Sequence, residues 1–147
     1  GNAGEALYTL WERDRFAGMD ASSVLPVDTE GVRCMRLYLD RAKALSEDLC
    51  RKLAPYRGRK VYLWAAGTHT ATLYQLGLLD DIYVTAIVDS NVNYQGKTIY
   101  DVPVIAPQEL MARDPLPIII SSQLAQDAIH TQIKEKMGVP NEVVRLY

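Results

Sequence analysis

Lys60-Val-Tyr-Leu-Trp-Ala-Ala-Gly-Thr-His-Thr-Ala-Thr-Leu-Tyr74, followed by Val84-Thr-Ala-Ile-Val-Asp89, reads as strand, glycine turn, helix, strand and acidic tip. A chain builds a nucleotide-binding βαβ unit in this order. The apolar run ends at Gly67, a residue that can take positive φ and let backbone approach a ligand closely. A helix beginning near Thr70 aims its free N–H groups at an anion. Asp89 follows Gly67 by twenty-two positions, the spacing at which a carboxylate can accept both hydroxyls of a ribose. Of the pattern G-x-G-x-x-G, the stretch Ala65-Ala66-Gly67-Thr68-His69-Thr70 keeps one glycine.

Outward from this unit, strands alternate with helices. Apolar runs mark strands over 60–66, 83–89, 102–105, 118–120 and 142–146, with helices expected over 70–78, 107–113 and 123–137. Pro107 suits a first helical turn, and Gly138 with Pro140 closes the last helix. Such alternation implies a parallel sheet with right-handed crossovers, in the order 3-2-1-4-5, and a ligand at the switch point beside strands one and four. Ahead of it, Leu7, Leu10, Trp11 and Phe16 fit a helix over 3–17, and Asp20 to Asp28 reads as loop. Val32, Met35, Leu39, Ala42, Leu49 and Leu53 trace a second, longer helix that stops before Pro55. The expected division is a helical extension over 1–57 and a nucleotide-binding domain over 58–147.

With 147 residues, of which 48% are hydrophobic, the chain has the material for one full-sized domain. Its net charge of −2 gives no basic stripe, so nucleic acid is not an expected partner. No run of eighteen apolar residues occurs, and Gly1-Asn2-Ala3-Gly4-Glu5 lacks a signal pattern; no membrane partner and a cytoplasmic location are expected. An opening Gly in place of Met implies a domain cut from a larger protein. Cys34 and Cys50 fall on one expected helix, about 24 Å apart, which predicts free thiols, and no metal set is apparent. The basic group Arg51, Lys52, Arg57, Arg59 and Lys60 reads as a solvated helix end and loop.

The strand and turn Val61-Tyr-Leu-Trp-Ala-Ala-Gly-Thr-His-Thr70 combine with Ile87-Val-Asp-Ser90, Gln95-Gly-Lys-Thr-Ile-Tyr-Asp-Val-Pro-Val-Ile-Ala-Pro107 and Gly138-Val-Pro-Asn141. Carrying these, residues 59–147 resemble small Rossmann-type domains of bacterial surface-glycan and sugar-nucleotide proteins. Among these are the nucleotide-binding domains of polysaccharide epimerase/dehydratase proteins and the N-terminal domain of sialic-acid and bacillosamine-type acetyltransferases. The resemblance implies an α/β, Rossmann-like three-layer fold with a helical extension, and NAD(P) or a nucleotide-sugar as the ligand in polysaccharide biosynthesis. That family usually begins its turn with Gly-Ala-Gly, so Ala65 is a departure, and Thr70 stands at the third glycine position.

The binding residues expected on these grounds are Gly67, Thr68, His69, Thr70, Asp89, Ser90, Ser121 and Ser122. Thr68 or Thr70 serves an anion or caps the helix. Asp89 accepts ribose or, with Ser90 and Asn91, forms an Asx-type turn. Ser121 and Ser122 reach the ligand, or Ser122 caps the helix that follows. Lys97, beside Gly96, is a phosphate contact or a solvated lysine. No base, nucleophile and orienting group accompany His69, so no catalytic residue is assigned. Tyr56-x-x-x-Lys60 precedes the first strand and is a chance spacing, and His130 is an ordinary helix residue.

Three functions fit the sequence. The first is a nucleotide- or nucleotide-sugar-binding domain, accessory to a larger glycan- or sugar-modifying protein. The second is an NAD(P)-dependent sugar-nucleotide epimerase or oxidoreductase. The third is a ligand-free interaction module whose helices drive homodimerisation.

Overall fold

The computed structural model describes residues 28–147; the expected helix over 3–17 and the loop up to residue 27 lie outside them. The chain divides into two compact units, Gly1–Leu39 and Asp40–Tyr147. Helix α1, Thr29–Leu53, runs through the boundary. It opens where Asp28 Oδ1 accepts the Gly31 N–H at 2.8 Å, an acidic cap that also complements the helix dipole. Of the expected apolar stripe, Leu49 and Leu53 are buried, whereas Val32, Met35 and Leu39 keep 46%, 59% and 56% of their surface exposed.

A short 3-10 turn, Ala54–Tyr56, takes Pro55 in its first positions and leads into β1, Lys60–Trp64. Next come α2, Thr68–Gln75, and β2, Tyr83–Val88. A hairpin then pairs β3, Thr98–Ile99, with β4, Val102–Ile105. A 3-10 segment, Pro107–Ala112, precedes β5, Ile118–Ile120. Helix α3, Gln126–Thr131, widens into a π-helical turn over Gln132–Met137 and stops at Gly138, whose φ of 62 is left-handed. β6, Val143–Arg145, is the last strand.

The sheet runs β3-β4-β2-β1-β5-β6. All neighbours are parallel except β3 and β4. The five parallel strands thus follow the order expected from the sequence; β3 is an additional antiparallel edge strand, outside the five expected ones. Gly96, at φ 74, turns the chain into that strand.

Alternation along β1 builds two cores. Val61 and Leu63 pack with Leu49 and Leu53 of α1, Leu73 of α2, Ile87 and Ile119. Tyr62 and Trp64 face the other way, onto Leu110, Ile133 and Val139. Strands buried on both faces read as continuous apolar runs, as Ile118-Ile119-Ile120 does, because helices cover both sides of a parallel sheet. The fold is therefore α/β with three layers. Burying a side chain such as Leu63 or Ile119, both fully enclosed, contributes about 1.5–3 kcal/mol each.

Candidate binding site at the end of the first strand

β1 ends at Trp64 because Ala65 turns to φ 94. That conformation suits glycine and costs any other residue about 1–3 kcal/mol. Gly67, by contrast, has φ −92 and ψ −167, ordinary extended backbone. The expectation that Gly67 supplies a positive φ is corrected: the left-handed residue is Ala65, at the motif's first position. Gly67 contributes open space instead, since a Cβ built there meets nothing within 4 Å.

The peptide between Ala65 and Ala66 is gripped on both sides. Thr70 Oγ1 donates to the Ala65 carbonyl at 2.5 Å and sits 2.5 Å from Ser121 Oγ. Ser121 Oγ in turn lies 3.0 Å from the Trp64 carbonyl and 3.3 Å from that of Ala65. Both residues are buried, at 1% and 0% exposure, so their hydroxyls satisfy carbonyls that would otherwise be left desolvated. On the opposite side, the Ala66 N–H donates to Asp89 Oδ2 at 2.7 Å.

Asp89 is engaged on its other atoms too. Its Oδ1 accepts the Asn91 N–H at 2.8 Å, and its backbone carbonyl accepts Gln95 Nε2 at 3.0 Å. The Asx-type turn anticipated at Asp89, Ser90 and Asn91 is present, and Ser90 is exposed.

Beside the turn opens a cleft of about 300 Å³, lined by Ala65, Gly67, Thr68, His69, Thr70, Ser121, Ser122 and Leu124. It brings together six of the eight residues expected from the sequence; Asp89 and Ser90 do not line it. The cleft lies between the ends of β1 and β5, which are adjacent strands whose outgoing segments lead to opposite faces of the sheet, and this is the switch point of the parallel order. Among the described residues its only charge-capable lining side chain is His69, whose ring packs 5.0 Å from that of Tyr147 at 59°. Burial pushes the Tyr147 hydroxyl pKa upward.

Helix α2 starts at the cleft with Gly67 as N-cap and no side-chain cap. Neither Thr68 nor Thr70 caps it, which corrects that reading: Thr70 turns back to Ala65 instead. The first-turn N–H groups are thereby left without a side-chain acceptor and, with the positive end of the helix dipole, favour an anion. Ser122 Oγ accepts the Ala125 N–H at 3.2 Å in the turn ahead of α3; the N-cap of that helix is Ala125, with no side-chain cap, so the capping reading of Ser122 is corrected as well.

Three lining or flanking residues were missed in the sequence. Ala65 was detectable as the motif position where a left-handed residue is needed. Leu124, 98% exposed, stands out as an apolar residue in a polar loop. Tyr147 had no local signal, because its contact with His69 spans half the chain.

Away from the cleft, the Tyr56 hydroxyl donates to Glu142 Oε1 at 2.5 Å. Lys97 is exposed. Cys34 and Cys50 are free thiols. Among the described residues there is no cluster of three metal-ligating side chains and no helix long and apolar enough to cross a membrane.

Residues 57–144 match the model of the family described as C2185-like, N-terminal. The chain belongs to that family. The C2185-like match runs from ahead of β1 into β6, and so contains the cleft and all of the sheet but Arg145. Among solved structures, the C2185-like domain is similar to UDP-D-quinovosamine 4-dehydrogenase from Vibrio fischeri, at 18% identity and a TM-score of 0.44, over 58% of this chain and 75% of that one. No curated protein matches its sequence.

Proposed function

We propose that this domain binds a nucleotide or nucleotide-sugar, with a phosphate at the N-terminus of α2, as the accessory part of a larger sugar-modifying protein. In this reading residues 58–147 form the binding domain and 1–57 its helical extension, and the protein works in the cytoplasm. The observation that carries it is the cleft at the switch point, whose floor is the uncapped first turn of α2. Thr68, His69 and Ser122 supply polar contacts at its wall, and buried Thr70 and Ser121 hold the floor in shape.

The test is a thermal-shift screen with NAD(H), NADP(H), UDP-sugars, coenzyme A and S-adenosylmethionine, repeated on Gly67→Val. A ligand at one hundred times its dissociation constant adds about 2.7 kcal/mol, a rise of several degrees. Gly67→Val keeps its own melting temperature, because position 67 is open and has extended backbone, but loses the ligand response. A flat screen at millimolar ligand, or a full response in the variant, rejects the reading.

A second reading, homodimerisation through the helical extension, is favoured by the exposure of Val32, Met35, Tyr38 and Leu39. Met35→Glu with Leu39→Glu in the full chain then converts dimer to monomer in light scattering. Truncation at residue 57 is a poor substitute, since it removes Leu49, Leu53 and Tyr56 from the core.

A further inference from the structure

We infer that Asp89 is a positioning residue that holds the Ala65 turn in its left-handed shape, and that the ligand is recognised through its phosphate without a ribose diol contact at Asp89. The inference rests on the nucleotide-binding reading above. A carboxylate at the tip of the second strand is where a ribose would be read, yet here each oxygen already has a backbone donor. Oδ2 takes the Ala66 N–H at 2.7 Å and Oδ1 the Asn91 N–H at 2.8 Å.

The Ala66 N–H belongs to the peptide whose carbonyl is held by Thr70. Asp89 therefore fixes the far side of the peptide that leaves Ala65, while the peptide that enters it is held by the Ala65 N–H on the Val88 carbonyl at 2.9 Å; Ala65 stands between these two planes at φ 94. Asp89 is also absent from the cleft lining. Two charge-assisted bonds, each roughly twice as strong as a neutral one, fix this carboxylate against the turn; each oxygen keeps a second acceptor position, so it is the place of Asp89 outside the cleft lining that separates it from a diol bound there. Among the described residues the cleft in turn offers no second carboxylate to replace it. What it offers is the free amides of α2, which favour an anion.

Two measurements test this together. The first compares UDP and ADP with their 2′,3′-dideoxy counterparts by calorimetry, on the unaltered chain and on Asp89→Asn. The expected result is that removing the diol changes affinity by less than about threefold, and that Asp89→Asn weakens both members of each pair alike. An Asn has one acceptor oxygen for two backbone donors, so the turn loosens whichever way it points. A tenfold or larger loss for the dideoxy compounds that disappears in Asp89→Asn overturns the inference and leaves nucleotide binding standing. No binding of any nucleotide overturns nucleotide binding, and with it the phosphate half of the inference.

The second measurement is a thermal double-mutant cycle of Asp89→Asn with Ala65→Gly, which needs no ligand. Asp89→Asn lowers the melting temperature by roughly 4–8 °C. In the Ala65→Gly background that drop shrinks by at least about half, because glycine takes a positive φ without a clamp. An equal drop in both backgrounds overturns the positioning role.

Discussion

Among the described residues, positive φ outside glycine occurs in two places: Ala65 at the head of the cleft, with φ 94, and the pair Tyr100 and Asp101 in the β3–β4 hairpin, with φ 52 and 60. The hairpin is explained locally. A two-residue loop between antiparallel strands favours the turn with positive φ at both central positions, because its twist matches that of the strands. The Tyr100 ring adds to this by stacking on Tyr74 at 4.3 Å and 21°. Ala65 has no such local reason. Its shape is imposed by groups from α2, from the end of β5 and from the end of β2, through Thr70, Ser121 and Asp89. The difference teaches that the edge turn would survive on its own geometry, while the cleft's floor exists only because the assembled sheet holds it.

The strongest way to break this contrast is Thr70→Val. Valine has the shape of threonine but returns no hydroxyl to the Ala65 carbonyl, and it leaves the buried Ser121 hydroxyl one partner short. We expect a loss of about 2–3 kcal/mol in urea denaturation with unchanged m value, the scale of a buried acceptor left unpaired. A loss under about 0.5 kcal/mol, the range of neutral surface changes, would show that the hydroxyl does not hold the floor.

The same contrast explains what could be read in advance. The five parallel strands and their order were legible because runs such as Val61–Trp64 and Ile118–Ile120 must be buried on both faces, and burial of that kind leaves a mark in composition. The position of the cleft followed from the order. Its internal roles did not. Ala65 reads only as a departure from the glycine pattern, because nothing local says that three other elements will hold it left-handed. Asp89 reads as a ribose acceptor or as part of an Asx-type turn, because position along the chain does not show that the Ala66 and Asn91 amides meet its two oxygens. β3 was missed for the opposite reason: Tyr100-Asp101 lacks the Asn-Gly signal of such a turn, and two residues are too few to show an alternation.

Tyr74→Phe sharpens the comparison from the hairpin's side. The Tyr74 hydroxyl is buried without a hydrogen-bond partner, so removing it while keeping the ring and its stack should stabilise the domain by about 1 kcal/mol at pH 7. Burial, with Tyr100 as a lesser cause, raises the Tyr74 pKa to about 12. Below pH 10 the phenol is neutral in both folded and unfolded chains and contributes no pH dependence. Between about pH 10 and 12 the unfolded chain releases this proton and the folded one keeps it, so stability falls as pH rises. Tyr56, raised to about 12 by burial and its bond to Glu142, adds to the same decline. Denaturation curves across pH 9–12 should therefore be shallower for Tyr74→Phe than for the unaltered chain. Parallel curves would mean that the Tyr74 hydroxyl is solvated when the protein is folded.

The smallest effect belongs to Asp101→Gly. Aspartate tolerates the left-handed region better than most residues, so little strain is stored there. Glycine at φ 60 relieves that strain but widens the unfolded ensemble, and the two terms largely cancel. The expected change is a gain of no more than about 0.5 kcal/mol in thermal or urea unfolding, with the Tyr74–Tyr100 stack retained. Ala65→Gly, measured beside it, should gain more, because alanine has no side chain to ease the left-handed conformation and its strain is borne by the surrounding grip. If Asp101→Gly gains as much as Ala65→Gly, the hairpin is held against its own preference as the cleft turn is, and strain no longer separates the two.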